Sequence, residues 1–237
     1  MEEKAPEKKT VMLITAHPDD SEFGAGGTVA KWVKEGRDVI YVVCTNGDKG
    51  SADPEMTSER LAVIREEEQR KAAAVLGVKE VNFLGYPDGW LEDTPEFRGK
   101  LVRMIRKYRP DLVITHDPHH RYMGHHDHRV TGVVALDAVF PYSRDHLFYP
   151  EHKAEGLTGH KVMEVYFTGS EDPDVFVDIT DTFQTKLKAL SCHVSQLGDH
   201  TNDWDVWAKR MEERSASLGR SRNMPLAEAF RRLELRR

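Results

Sequence analysis

Cysteine is scarce. Cys44 and Cys192 are the only two in 237 residues, far apart and without CxxC spacing. That excludes a disulfide-stapled scaffold and a cysteine-ligated zinc module, and fits two reduced, largely buried thiols. Long apolar runs are missing too. None approaches the ~18 residues of a membrane helix, so no membrane segment is expected. The opening stretch "MEEKAPEKKT" lacks the apolar h-region of a signal peptide. Residues 1–10 are expected to form a flexible N-terminus, and the protein to be cytoplasmic. Basic runs are also absent. With Lys+Arg 34 against Asp+Glu 40 the net charge is −6, which gives no electrostatic footprint for a nucleic-acid partner. No repeat or low-complexity linker divides the chain, so a single domain over 1–237 is expected.

What the chain does have is histidine, unevenly placed. Six of its twelve histidines (His116, His119, His120, His125, His126 and His128) fall within "HDPHHRYMGHHDH". Short apolar runs alternate with helical patterns along the rest. Strands are expected at Val11–Thr15, Asp38–Thr45, Val81–Gly85 and Asp111–His116, with one or two more in "VMEVYFTG" and "DVFVDIT". Helices are expected at Gly26–Gly36, Ser58–Leu76, Phe97–Arg109, Arg129 to about Phe140, Thr182–Val194, and from about Pro225 to the C-terminus. Near-continuously apolar strands alternating with helices predict an α/β fold: a Rossmann-like, mostly parallel sheet covered on both faces. Ligands in such sheets bind beyond the carboxyl ends of the strands. The first strand runs into His17–Pro18–Asp19–Asp20, and the fourth ends at His116 with the histidine-rich loop behind it. Both clusters therefore fall on one rim.

A catalytic divalent metal takes about three nitrogen or oxygen ligands and keeps a position open. His17 and Asp20 can supply two. Adjacent aspartates tend to diverge, so one of the pair can bind metal while the other faces the open position as a general base. The blander role for either aspartate is capping the helix that follows. The third ligand comes from the histidine-rich segment, and spacing alone does not choose among His125, His126, His128, His120, His119 and His116. "GAGGT" (Gly24–Thr28) invites comparison with a dinucleotide-binding turn. The G-x-G-x-x-G pattern fails at Val29, and an acidic cluster precedes it, so these glycines are taken for close packing.

The motifs "AHPDDSE", "GGT" and "GHHDH", with "CTNGDKGS", "IREEEQRKAAAVLGV", "FLGYPDG", "YRPDLVITHDP" and "CHVSQ" between and after them, resemble the PIG-L/LmbE-like deacetylases from Val11 to about Gln196. The resemblance implies a hydrolase that removes acetyl from the nitrogen of an N-acetylated amino sugar or its conjugate. It implies a metal held by His17, Asp20 and His128, usually zinc, with Fe2+ the other divalent candidate. It implies Asp19 as general base, and His125 as oxyanion stabiliser able to act as acid, oriented by Asp127. Around the substrate it nominates Arg65, with Glu68 as its partner, together with Asp88 for sugar hydroxyls and His193. Relatives of this kind often form hexamers, which implies a homo-oligomer. The mycothiol branch carries a tyrosine where this chain has Met123, a departure that bears on substrate. Two rivals share parts of this pattern. Two histidines and a carboxylate also form the facial triad of ferrous oxygenases, and a sugar- or metal-binding module would need no turnover.

Overall fold

Strands that are apolar at almost every position must be covered on both faces, and the computed structural model has such a sheet. It describes residues 9–122, 124–198 and 204–235; Met123 and residues 1–8 of the expected flexible N-terminus lie outside that range. Five strands run parallel: β1 (Thr10–Thr15), β2 (Asp38–Thr45), β3 (Glu80–Tyr86), β4 (Leu112–His116) and β5 (Glu164–Thr168). Two more, β6 (Val175–Asp178) and β7 (Ala227–Glu234), complete a seven-stranded sheet in the order β3-β2-β1-β4-β5-β7-β6. β7 is antiparallel to both of its neighbours.

Side chains alternate between faces along a strand. Met12 and Ile14 of β1 join one core cluster with Phe97, Leu101, Ile105 and Val134, from α3 (Pro95–Tyr108) and α4 (His126–Asp137). Val11 and Leu13 join the other with Ala25, Val29, Ala72 and Ala73, from α1 (Asp20–Lys34) and α2 (Ser58–Leu76). Local signals set the helix ends. The Thr57 hydroxyl accepts from the Arg60 amide at 3.3 Å, the Thr94 hydroxyl accepts from the Phe97 amide at 3.1 Å, and Gly77 at φ 78° closes α2.

The connection order reverses between β1 and β4, whose neighbours on the outer sides are β2 and β5. Such a switch point opens a crevice at the carboxyl ends of the two strands. His17 follows β1 there, and His116 ends β4.

Four elements differ from expectation by more than two residues or in kind. α1 begins at Asp20, not Gly26, and α4 at His126, not Arg129. Ligand-type residues therefore occupy first helical turns, and their polarity hid those turns from a search for apolar periodicity. The helix expected over Thr182–Val194 is interrupted: α5 covers Phe183–Leu190, and a single turn, α6 (Val194–Leu197), follows His193. The expected C-terminal helix is strand β7. Its "AEAFRRLE" has helix-forming residues, but pairing on both sides with β5 and β6 outweighs that weak local preference. The remaining helix, α7 (Trp204–Arg220), packs against β7 and β6.

The α1 glycines serve packing. A Cβ on Gly27 would come within 2.8 Å of the Ile179 side chain. The amides of Gly27 and Thr28 donate to the buried Glu228 carboxylate of β7 at 3.0 and 2.7 Å. Lys186 of α5 pairs with the same carboxylate at 2.6 Å and donates to the Phe23 carbonyl at 2.8 Å. α1 is thus fastened to two elements near the other end of the sequence. Cys44 is buried, Cys192 half-buried, and both are free thiols.

Candidate active site

β1 delivers His17 to the crevice, and the Asp20 Oδ2 accepts from the His17 amide at 2.8 Å, closing the turn between them. α4 brings His128 from the other side. His17 Nδ1 is 3.2 Å from His128 Nε2 and 3.4 Å from Asp20 Oδ2, and His128 Nε2 is 3.1 Å from Asp20 Oδ1. Ligands at about 2.1 Å from a tetrahedral ion stand about 3.4 Å from one another. The Asp20 carboxylate meets the two imidazoles through different oxygens, and each of the three separations is close to that edge. Two imidazole nitrogens and one carboxylate oxygen suit a borderline divalent ion.

Charge around the cluster also fits a cation. The far nitrogen of His17, Nε2, is 3.0 Å from Asp88 Oδ1 and 3.3 Å from Asp127 Oδ2. Carboxylates behind a ligating imidazole fix its ring and strengthen its free nitrogen as a donor. Burial alone would lower the His17 pKa, but its hydrogen bonds to Asp127, Asp20 and Asp88 outweigh this and push it up to about 11. Burial alone would raise Asp20; His116, His128 and His17 reverse that and hold it well below the usual carboxylate range.

Asp127 thus differs from the expected partner of His125. It is fully buried in the first turn of α4, accepts from the Gly89 amide at 2.7 Å and the Leu91 amide at 3.3 Å, and faces His17. The short "DGWL" segment is held by this one carboxylate. That segment carries Asp88, whose own amide donates to Asp48 at 2.8 Å. His125 is the residue preceding α4, its ring centroid 4.4 Å from that of His17 and 4.8 Å from that of His128. Burial, with positive charge on His17 and His128, lowers its pKa, which favours a neutral imidazole. His126 turns away and bonds the Leu91 carbonyl at 2.7 Å. His116 stacks on His128 at 4.1 Å, and its Nε2 is 3.2 Å from Asp20 Oδ2, so it braces that carboxylate. His119 and His120 line a separate cavity of about 430 Å³ with Asp117 and Glu171.

Asp19 sits beside the donors in a left-handed backbone conformation, φ 97° and ψ −29°. Its side chain makes no capping bond to α1, so the capping role does not apply. Left-handed backbone at a residue with a side chain costs about 1–2 kcal/mol and persists only where the surroundings impose it. Arg65 is one of those surroundings. Its guanidinium donates to Asp19 Oδ2 at 3.2 Å, to the Pro18 carbonyl at 2.7 Å and to the Gly47 carbonyl at 3.0 Å. Only 4% exposed, Arg65 is bonded to the chain at the base of the site, and its expected place is at the substrate. Glu68 is not its partner: that carboxylate accepts from the Ser195 amide and hydroxyl at 2.8 and 2.6 Å. Burial and the neighbouring Asp20 raise the Asp19 pKa to about 7, against the opposing pull of Arg65.

Gly47 (φ +64°) makes this clamp possible, since a Cβ there would lie 2.3 Å from Arg65 Nη1. Gly47→Ala should therefore displace the guanidinium and strain the turn, lowering stability by about 1–3 kcal/mol in urea unfolding, and should slow turnover as well. Wild-type stability and rate together would mean the clamp has slack.

His193 is also placed differently from expectation. It is fully buried, with Nε2 3.3 Å from Glu22 Oε2, and has no surface to offer a substrate. Glu22 and Gln69, both fully buried beside it, were missed by the sequence reading. Glu22 stands in "HPDDSE" itself, ahead of the helix expected from Gly26, and only the earlier start of α1 at Asp20 turns it inward onto Gln69.

The family model described as GlcNAc-PI de-N-acetylase (PIG-L) matches residues 12–139. The chain belongs to the PIG-L family. The matched segment holds every residue of the site but His193. The PIG-L chain is 35% identical to a diacetylchitobiose deacetylase of Thermococcus kodakarensis, over 94% of its own length and 82% of that protein. It is 30% identical to a 1D-myo-inositol 2-acetamido-2-deoxy-alpha-D-glucopyranoside deacetylase of a Mycobacterium species, over 81% and 75% of the two chains. Among solved structures, the N,N'-diacetylchitobiose deacetylase of Pyrococcus horikoshii superposes with a TM-score of 0.89 at 34% identity, covering 96% of this chain and 85% of that one. Among the described residues of the PIG-L chain, no helix is long and apolar enough to cross a membrane.

Proposed function

We infer that the protein is a metal-dependent deacetylase that hydrolyses the amide of an N-acetylated amino sugar, giving acetate and a free amine. The observation that carries this reading is the convergence of His17, Asp20 and His128 at 3.1–3.4 Å beside an Asp19 held in a left-handed backbone conformation. All three named relatives act on acetamido sugars, which supports the substrate class. The metal is zinc in this reading, with Fe2+ the other divalent candidate.

Held by those three residues, the ion would supply Lewis-acid polarisation of the amide carbonyl and a water of lowered pKa. The chain's own groups do the rest. Asp19 accepts the proton of the attacking water. His125, neutral at the mouth of the site, donates a hydrogen bond to the oxygen that gains charge, an interaction worth about 3 kcal/mol in comparable sites. Asp19 then returns its proton to the departing amine. Asp127 and His116 hold His17 and Asp20 in place. Asp88 has one oxygen on His17, and the other is its means of reaching a sugar hydroxyl.

Release of amine from N-acetylglucosamine and N,N'-diacetylchitobiose, abolished by chelator and restored by Zn2+, tests the reading. A metal-loaded protein inert on acetamido sugars would overturn it. We also propose a homo-oligomer, by likeness to the family; a monomer in light scattering would remove it.

The pH profile carries a further expectation. A base works only when deprotonated, and Asp19 is protonated below its raised pKa. The rate kcat/KM should therefore rise with pH and level off, with its midpoint at or below about 7, since a bound cation pulls Asp19 downward. An alkaline limb would require His125 to act as an imidazolium, which its lowered pKa disfavours. A flat acid side would remove Asp19 from the role.

A further inference from the structure

From the Asp19 amide runs a file of buried polar side chains that the chemistry above does not use. Gln69, Glu22 and His193 are each fully buried. Gln69 Oε1 accepts from the Asp19 amide at 2.9 Å, and its Nε2 donates to Glu22 Oε1 at 3.0 Å. The other Glu22 oxygen lies 3.3 Å from His193 Nε2, outside hydrogen-bond geometry. A carboxylate can only accept, so Glu22 fixes which way the Gln69 amide points, and the carbonyl end must meet Asp19.

Burying this set is costly. An apolar side chain at position 69 would fill the space without desolvating an amide and a carboxylate. The file ends on the one backbone amide whose residue is held at φ 97°. α2 makes the contact twice, one helical turn apart. Arg65 grips the Asp19 carboxylate, and Gln69, four residues on and so on the same face, grips its amide.

We propose that Gln69, oriented by Glu22, is a positioning residue that holds Asp19 in the left-handed conformation from which its carboxylate takes the water proton. This rests on Asp19 being the base. The buried hydrogen bond to the Asp19 amide opposes the left-handed penalty of that residue. Its loss lets the backbone relax and moves the carboxylate, and misplacement of a catalytic group by ~1 Å can cost ~10²-fold in rate.

The test compares three proteins loaded with Zn2+ and assayed on an acetamido sugar that the wild type hydrolyses. Gln69→Leu should keep one ion per chain and a KM within about threefold, while kcat falls by about 10- to 100-fold. The double variant Glu22→Gln with Gln69→Glu exchanges donor and acceptor between the two side chains and leaves an acceptor on the Asp19 amide; its kcat should recover to within about fivefold of wild type. Asp19→Asn, run alongside, separates the two claims. If it stays active, the base has been misassigned and the positioning role falls with it. If it is inactive while Gln69→Leu matches the wild type, only the positioning role falls. A double variant that binds metal but is as slow as Asp19→Asn overturns the role even if Gln69→Leu does not fold.

Discussion

Asp19→Asn should bind metal as the wild type does and lose about 10²–10⁴-fold in kcat, the scale of a general-base contribution. The substitution keeps the shape of the side chain and its contact to Arg65 but cannot take a proton. Asp19 lies outside the set of donors at 3.1–3.4 Å, so metal content is the discriminating readout. Elemental analysis should find about one ion per chain in Asp19→Asn and much less in Asp20→Ala. The opposite pattern would mean that the two aspartates have been exchanged. The chain itself separates them: the Asp20 carboxylate is surrounded by His17, His116 and His128, whereas Asp19 faces an arginine.

His128→Ala should lose both metal and activity, because it removes one of only three donors. The drop in metal affinity should exceed the ~10–100-fold that follows loss of a residue supporting a ligand. His125→Ala should hold metal and turn over slowly, as its partner is charge that develops during the reaction. His126→Ala should change metal affinity and rate by less than about threefold, since its ring is committed to the Leu91 carbonyl on the far side of the loop. Competition with a coloured chelator gives all three affinities. A His126→Ala that sheds its ion would show that the third ligand has been misplaced.

How far the sequence revealed this site depended on the kind of signal. The parallel strands announced themselves by continuous apolar runs, and their order at the switch point followed from alternation with helices. The donors announced themselves by residue type at strand ends. The choice of His128 over its neighbours came from family likeness, because three histidines within four positions carry no geometric preference until the first turn of α4 orients them. What stayed hidden were inward contacts between side chains far apart in sequence. Arg65 and His193 were expected at a substrate and instead lie behind Asp19, and Asp127 was expected on His125 and lies on His17. A one-dimensional pattern shows that a polar residue is near a site but not which side of the catalytic group it occupies. β7 was misjudged for the complementary reason: its local preference is helical, and only its two neighbouring strands make it a strand.

The fastening of α1 by Glu228 bears on the order in which the molecule can be assembled. All three proposed ligands lie within the first 128 residues, so a growing chain could offer them to an ion early. Yet the helix that begins at Asp20 receives its Glu228 contacts across 200 and 201 residues of sequence. Until β7 is made, the Gly27 and Thr28 amides lack that acceptor and Lys186 lacks its counter-charge. Contacts of such range close slowly, because the intervening chain must be ordered first. The Glu228 anchor of α1 therefore closes only once β7 is present, although the proposed ligands lie far upstream of it.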